Sequence, residues 1–297
     1  MSMSVFQVIL LAIIQGLTEL LPVSSSAHVI VAEKLMGLDP SAPQMTLLLV
    51  MLHTGTMFAV IVYFWKTWKR VYFSSFASLL RVLGFLLCGT LLTAIVGGIL
   101  KKVIEATLFR GAEKAEIEQL FSHLELIAPA LAAAGILILI AGIMERRIKK
   151  AGYTRILTDE EGTLTMKQAA WMGAVQGIAL PFRGFSRSGS TISAGMLTGA
   201  AKEPAERFSF ALAVVLTPPV IAIELERLLK ALHTSPGSID LHASLLASLL
   251  GAAFAFLAGL LALKWLSRWL ESGRWYWFGI YCLIASAVVF YLHIRGF

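Results

Sequence analysis

Two short polar segments interrupt apolar stretches of the chain and hold the side chains best suited to chemistry. In the first, QGLTELLPVSSSAH over residues 15–28, Gln15 and Glu19 are four apart and share a helical face. Pro22 then precedes Ser24, Ser25, Ser26 and His28. A hydroxyl beside a carboxylate and an imidazole suits nucleophilic attack assisted by a general base, with Glu19 or His28 taking the proton. In the second, RGFSRSGST over residues 183–191, Arg183 and Arg187 stand among Ser186, Ser188, Ser190 and Thr191, with Gly184 and Gly189 permitting tight turns. A guanidinium forks onto phosphate oxygens, and hydroxyls with loop N–H groups complete an anion nest.

Plainer readings stand beside these. Glu19 can be a structural carboxylate bonded to a neighbouring helix, although a charge deep in an apolar segment marks function by default. Arg183, nearer the entry of its loop, either snorkels to an interface or contacts the phosphate. Arg187, flanked by two serines, favours the functional reading. His53, in LHTGTMF, faces a cavity shared with these segments or packs through small neighbours. His123, His233, His242 and His293 lie in loops or near ends and need no catalytic explanation.

The elements that position these residues are set by hydropathy. Of 297 residues 58% are hydrophobic and 14% charged, and the mean hydropathy of +0.79 excludes an ordinary soluble domain. Runs long enough for a bilayer of roughly 30 Å occur at about 44–66, 80–100, 126–144, 206–226, 243–264 and 276–294. The stretches 4–36 and 168–200 are broken by polar residues and are expected to form re-entrant helix–loop–helix pairs, which lipid tolerates only around a protected or wet cavity. The segment Met1 to Ser4 lacks a positive charge and Glu19 sits deep in the apolar stretch beyond it, which argues against a signal peptide. Cys88 and Cys282 both fall in apolar spans, suggesting neither a disulfide nor a zinc site.

The net charge of +7 reads as membrane topology and not as affinity for nucleic acid. If the loop carrying Lys66, Lys69, Arg70 and Arg81 is cytoplasmic, fifteen Lys and Arg, including Arg155, fall inside and eight outside. Both termini then face outside, in agreement with the positive-inside rule. Gln-Gly pairs at Gln15 and Gln176, 161 positions apart, each precede a serine-rich loop. The same offset carries the span 44–66 to 205–227 and the span 80–100 to 241–261, close to the spans at 206–226 and 243–264. Thr217-Pro218-Pro219, one repeat after the LHTGTMF patch, is expected to kink toward the same cavity. One integral-membrane domain, 1–297, thus holds repeat 1 at about 4–144 and repeat 2 at about 168–294. Each repeat carries three spans, an odd number, so the two insert with inverted topology and bring the broken helices to a shared midplane site. The expected fold is an all-α polytopic membrane protein with six transmembrane helices and two re-entrant pairs.

At these residues the chain resembles the undecaprenyl-diphosphate phosphatase family of the bacitracin-resistance type. QGLTELLPVSSSAH is similar to its acidic box running into a Pro-Val-Ser-Ser loop, and GFSRSGST to its arginine box. The resemblance implies Glu19 as the essential carboxylate, Ser25 as the candidate nucleophile, His28 as the essential histidine and Arg187 as the phosphate-binding arginine. Gln15, Ser24, Ser26, Ser186, Ser188, Gly189 and Thr191 would complete the substrate site. Arg183 stands where the family usually has proline, and Ala27 where glycine is commoner. The resemblance further implies hydrolysis of undecaprenyl diphosphate at a site opening to the outer face of the bacterial inner membrane. It implies a divalent cation too, Mg²⁺ or Ca²⁺, although no ligand cluster is visible in the sequence. The expected partners are the lipid substrate and the bilayer, with a homodimer compatible and no nucleic acid. Direct attack by water activated at His28 is the rival mechanism. An inverted-repeat transporter or flippase for a lipid phosphate is the rival function.

Overall fold

A computed structural model of the protein describes residues 3–39, 43–108, 123–151, 164–234, 241–271 and 274–297. Arg155 and most of the loop around it lie outside the described residues, and of His233 and His242 only the backbone is described. Ten helices make up the described chain: α1 (Val5–Leu20), α2 (Ser25–Leu35), α3 (Pro43–Val71), α4 (Phe76–Leu108), α5 (Leu124–Lys150), α6 (Met166–Ala179), α7 (Arg187–Leu197), α8 (Lys202–Thr234), α9 (Leu241–Glu271) and α10 (Tyr276–Ile294).

Six of them, α3, α4, α5, α8, α9 and α10, contain segments long and apolar enough to cross a membrane: 47–71, 76–107, 124–148, 202–223, 244–266 and 276–294. These agree with the spans expected from hydropathy, and the protein is a multi-pass membrane protein. One face of α4, Leu80, Leu83, Leu87, Leu91, Ile95 and Ile99, is exposed along its length. In water such a stripe would drive aggregation; against hydrocarbon it has no cost.

The two broken stretches fold as helix pairs. Ser4 caps α1 and Thr165 caps α6 in the same way, each accepting from the backbone N–H three residues on, with Gln7 and Gln168 returning the bond. Pro22 and the serines after it stop α1 before α2 begins, and residues 180–186 separate α6 from α7. Serines stand at the N-caps of α2 and α7, and both have positive φ: Ser24 at 67° and Ser186 at 33°. A non-glycine residue there is strained, and such strain persists only where surrounding contacts over-determine it.

Packing brings the helices together in pairs. α9 lies along both α1 and α3, α4 along α6, α5 along α10, and α3 crosses α8, while α7 is wedged against α5, α6 and α8. Between apolar helices in lipid the driving force is close van der Waals fit, which small residues permit. Gly16 and Gly177 serve this in corresponding places. A Cβ on Gly16 would lie 2.7 Å from the Ala255 carbonyl oxygen of α9, and one on Gly177 would lie 2.8 Å from that of Thr93 on α4. The main core gathers Leu20, Ile127, Ile138, Phe208, Phe210 and Trp275 beneath the two loops. Indole Nε1 of the fully buried Trp275 donates to Ser193 Oγ at 3.1 Å, so α7 is anchored by a satisfied polar contact as well as by packing.

Candidate functional site

Glu19 is in the last turn of α1, Ser25 is the first residue of α2 and Arg187 the first of α7, so the chemistry sits where three helices end or begin. The chain crosses from one loop to the other at several points. The Gly184 N–H donates to Ser26 Oγ at 3.3 Å, and Ser188 Oγ donates to the Leu21 carbonyl at 3.3 Å. Gly184, at φ 103°, adopts a backbone conformation that L side chains disfavour, and a Cβ would lie 2.5 Å from the Ile127 carbonyl oxygen of α5. Only glycine lets the second loop lie this low against α5.

The loops meet at Glu19. Its Oε1 accepts from Arg187 Nη2 at 2.5 Å, and its Oε2 accepts from Ser25 Oγ at 2.5 Å and from Gln15 Nε2 at 3.2 Å. His53 Nε2, on α3, stands 3.8 Å from the same Oε2. With its side chain 13% exposed, Glu19 is largely out of solvent. Four partners compensate the desolvation that an isolated carboxylate would suffer. On the other side of the pair, Arg187 Nη1 is buried and has no hydrogen-bond partner among the described residues. A guanidinium can bond two anions at once through different nitrogens, and here one nitrogen is on Glu19 while the other keeps unused N–H donors.

Helix termini reinforce this. The N-cap of α2 makes no side-chain capping bond, which leaves the first-turn N–H groups beside Ser25 free of a side-chain cap. At α7 the Ser186 hydroxyl accepts from the Gly189 N–H at 3.3 Å. The hydroxyls of Ser190 and Thr191 both donate to the Arg187 carbonyl, and Thr191 Oγ1 also lies 2.5 Å from Ser209 Oγ on α8. Ser190 and Thr191 are fully buried; their hydroxyls hold α7 in place beneath Arg187. Ser24 Oγ is 3.3 Å from Ser26 Oγ, within the turn that shapes the first loop.

His28 lies apart from this cluster. Its Nδ1 is 2.7 Å from the Ser24 carbonyl and its Nε2 is 2.6 Å from the Tyr281 hydroxyl of α10, with the two rings stacked at 10° between planes. Both ring nitrogens are thus engaged, and the group bonded to the Ser25 hydroxyl is Glu19. Tyr281 is a partner that sequence reasoning missed, because a tyrosine in an apolar span carries no local signal of what it faces. His53 proves to face Glu19. Pro218 and Pro219 lie exposed, and Thr217 Oγ1 donates to the Ala213 carbonyl at 2.7 Å, so these contacts do not tie that break to Glu19. His123 and His293 both approach Glu125, at 2.6 Å and 3.4 Å, near the ends of α5 and α10. Cys88 and Cys282 are free thiols.

A resident divalent cation does not suit this donor set. Among the described residues no group of three His, Cys, Asp or Glu side chains is arranged to hold one. Glu19 gives one oxygen to Arg187 and the other to Ser25 and Gln15.

Residues 8–288 match the family described as bacitracin resistance protein BacA. A relative from Acinetobacter baylyi named undecaprenyl-diphosphatase 2 is 55% identical over 290 residues, covering 97% of this chain and 98% of the relative. Another of that name from Burkholderia thailandensis is 35% identical over 295 residues, covering 96% and 95%. An undecaprenyl-diphosphatase from Rhodopirellula baltica is 31% identical over 295 residues, covering 97% and 98%.

Proposed function

The chain belongs to the bacitracin resistance protein BacA family, and from that premise we propose that it hydrolyses undecaprenyl diphosphate to undecaprenyl phosphate and inorganic phosphate. The observation that carries this reading is the double engagement of Glu19 by Arg187 and Ser25 at the N-termini of α7 and α2. The terminal phosphate enters against the free Nη1 of Arg187 and the first turn of α2. Ser25 Oγ attacks the terminal phosphorus in line and passes its proton to Glu19, while the bond from that phosphorus to the bridging oxygen breaks. Undecaprenyl phosphate leaves with the bridging oxygen, and water then cleaves the phosphoserine to release phosphate. Arg187 stabilises the charge on the equatorial oxygens throughout.

The contact between Ser25 and Glu19 favours serine attack over direct attack by water activated at His28, whose ring bonds elsewhere. No step runs through a metal ion. A divalent cation, in this reading, arrives on the diphosphate itself, where phosphate oxygens supply most of its ligands.

The fold reading that accompanies this is an inverted-topology repeat in which α1–α2 and α6–α7 are re-entrant pairs. Its support lies in matched details: the two capping boxes, the two positive-φ serines and the glycine contacts of α1 on α9 and of α6 on α4. The charge distribution supports an inner-membrane orientation with both termini outside and the head group entering from the outer leaflet. Release of inorganic phosphate from undecaprenyl diphosphate by the purified protein is the test. Movement of intact lipid diphosphate across vesicles without phosphate release would overturn the hydrolase in favour of a transporter.

A further inference from the structure

Tyr281 is an anomaly on its own helix. It lies on a lipid-facing stripe of α10 with Trp277, Ile284 and Val288, all about half exposed or more. The phenol hydroxyl on this stripe is satisfied by the imidazole of His28, 253 residues away in sequence. The contact is doubly specified, by a 2.6 Å hydrogen bond and by parallel stacking with ring centroids 5.7 Å apart.

The partners fix the proton positions. The Ser24 carbonyl can only accept, so His28 Nδ1 must carry a hydrogen to make the 2.7 Å contact. In the neutral ring Nε2 then holds the lone pair, and the Tyr281 hydroxyl donates to it. If His28 gains a proton at Nε2, the same hydroxyl turns and accepts, since a phenol does either. A lysine could only donate in that position and a carboxylate only accept. The Ser24 carbonyl that orients the other ring nitrogen belongs to the strained residue immediately before Ser25, so the ring is tied to the backbone that presents the nucleophile.

We propose that Tyr281 is a positioning residue for His28: its hydroxyl and ring hold the imidazole in one plane against the Ser24 carbonyl, and so steady the turn that presents Ser25. The proposal deepens the hydrolase reading and rests on it for its kinetic consequence, while the tautomer itself is independent of turnover. Tyr281→Phe keeps the stack and removes the hydroxyl. In ¹⁵N-histidine-labelled protein, with the His28 signals assigned through His28→Asn, the wild type shows a protonated Nδ1 and an unprotonated Nε2 when the ring is neutral. In Tyr281→Phe the Ser24 carbonyl keeps the hydrogen on Nδ1, while the Nε2 signal shifts because its hydrogen-bond donor is gone. With undecaprenyl diphosphate as substrate, Tyr281→Phe lowers kcat roughly twofold to tenfold, the equivalent of one hydrogen bond, and leaves KM unchanged. In the His28→Asn background it lowers kcat little further, because the two groups act as one unit. An Nε2–H tautomer in the wild type overturns the proposal, and so does an unaltered Nε2 signal and kcat in Tyr281→Phe, or an equal loss in both backgrounds. A wild-type protein that releases no phosphate would sink the hydrolase reading alone, and the ¹⁵N measurement at Nε2 would still decide the role of Tyr281.

Discussion

Replacing Arg187 by alanine removes two things at once, and the structure separates them. The first is the donor set at Nη1, buried and without a hydrogen-bond partner among the described residues. The loss of one preorganised donor to a transition-state oxyanion costs about a hundredfold to a thousandfold in kcat, or about 2.7–4 kcal/mol. The second is the Nη2 contact to Glu19, whose removal leaves a carboxylate with a side chain 13% exposed without that arginine. Breaking a buried pair from one side costs on the order of 3–5 kcal/mol. Ser25 and Gln15 still donate to Oε2 and His53 remains 3.8 Å away, so the loss in stability falls at or below the lower end of that range.

The two effects respond differently to a second change. Arg187→Ala combined with Glu19→Gln removes the orphaned charge, so thermal stability recovers in detergent while phosphate release does not. Arg187→Lys keeps a charge for Glu19 but loses the fork that serves two anions at once, and falls between wild type and Arg187→Ala in kcat. The assay is single-turnover phosphate release from undecaprenyl diphosphate, run alongside a melting curve for each variant. Near-normal kcat in a folded Arg187→Ala protein would refute the assignment of phosphate stabilisation to Arg187, and with it the role of the free Nη1.

Ser25→Ala is expected to lower kcat by orders of magnitude and to abolish a phosphoserine trapped by rapid acid quench, whereas Ser24→Ala stays milder in kcat because its hydroxyl only shapes the turn; retained turnover in Ser25→Ala would move the mechanism to water activated at His28. Ser26→Ala is expected to show its cost chiefly in stability, about 1–3 kcal/mol, because the Gly184 N–H loses its acceptor, and an unchanged melting temperature would argue against the loop contact. Chelation by EDTA should suppress turnover without shifting the melting temperature of the substrate-free protein, because the donors around Glu19 are already engaged by one another; a large drop in melting temperature would reveal a resident ion. A cysteine at position 149 should resist an impermeant reagent in intact cells and react after permeabilisation, and labelling in intact cells would reverse the orientation.

Hydropathy and residue type were enough to find the spans of α3, α4, α5, α8, α9 and α10, because twenty apolar residues in succession are a property of the local chain and the bilayer thickness sets their length. They were enough, too, to mark the breaks after Leu20 and Ala179, since proline, serines and charges interrupt those stretches where lipid would not accept open backbone. Which side chains meet across the breaks was a different matter. That Arg187 reaches Glu19 across 168 positions, that Thr191 turns to Ser209 and that His28 closes on Tyr281 depend on how α7, α8 and α10 are rotated and seated against their neighbours. In a helix apolar on every side, such as α4 or α10, the pattern of residues carries almost no signal of which face is turned to protein and which to lipid. The rotation is decided by close fits such as Gly16 on α9 and Gly177 on α4, and those exist only once all the helices are in contact.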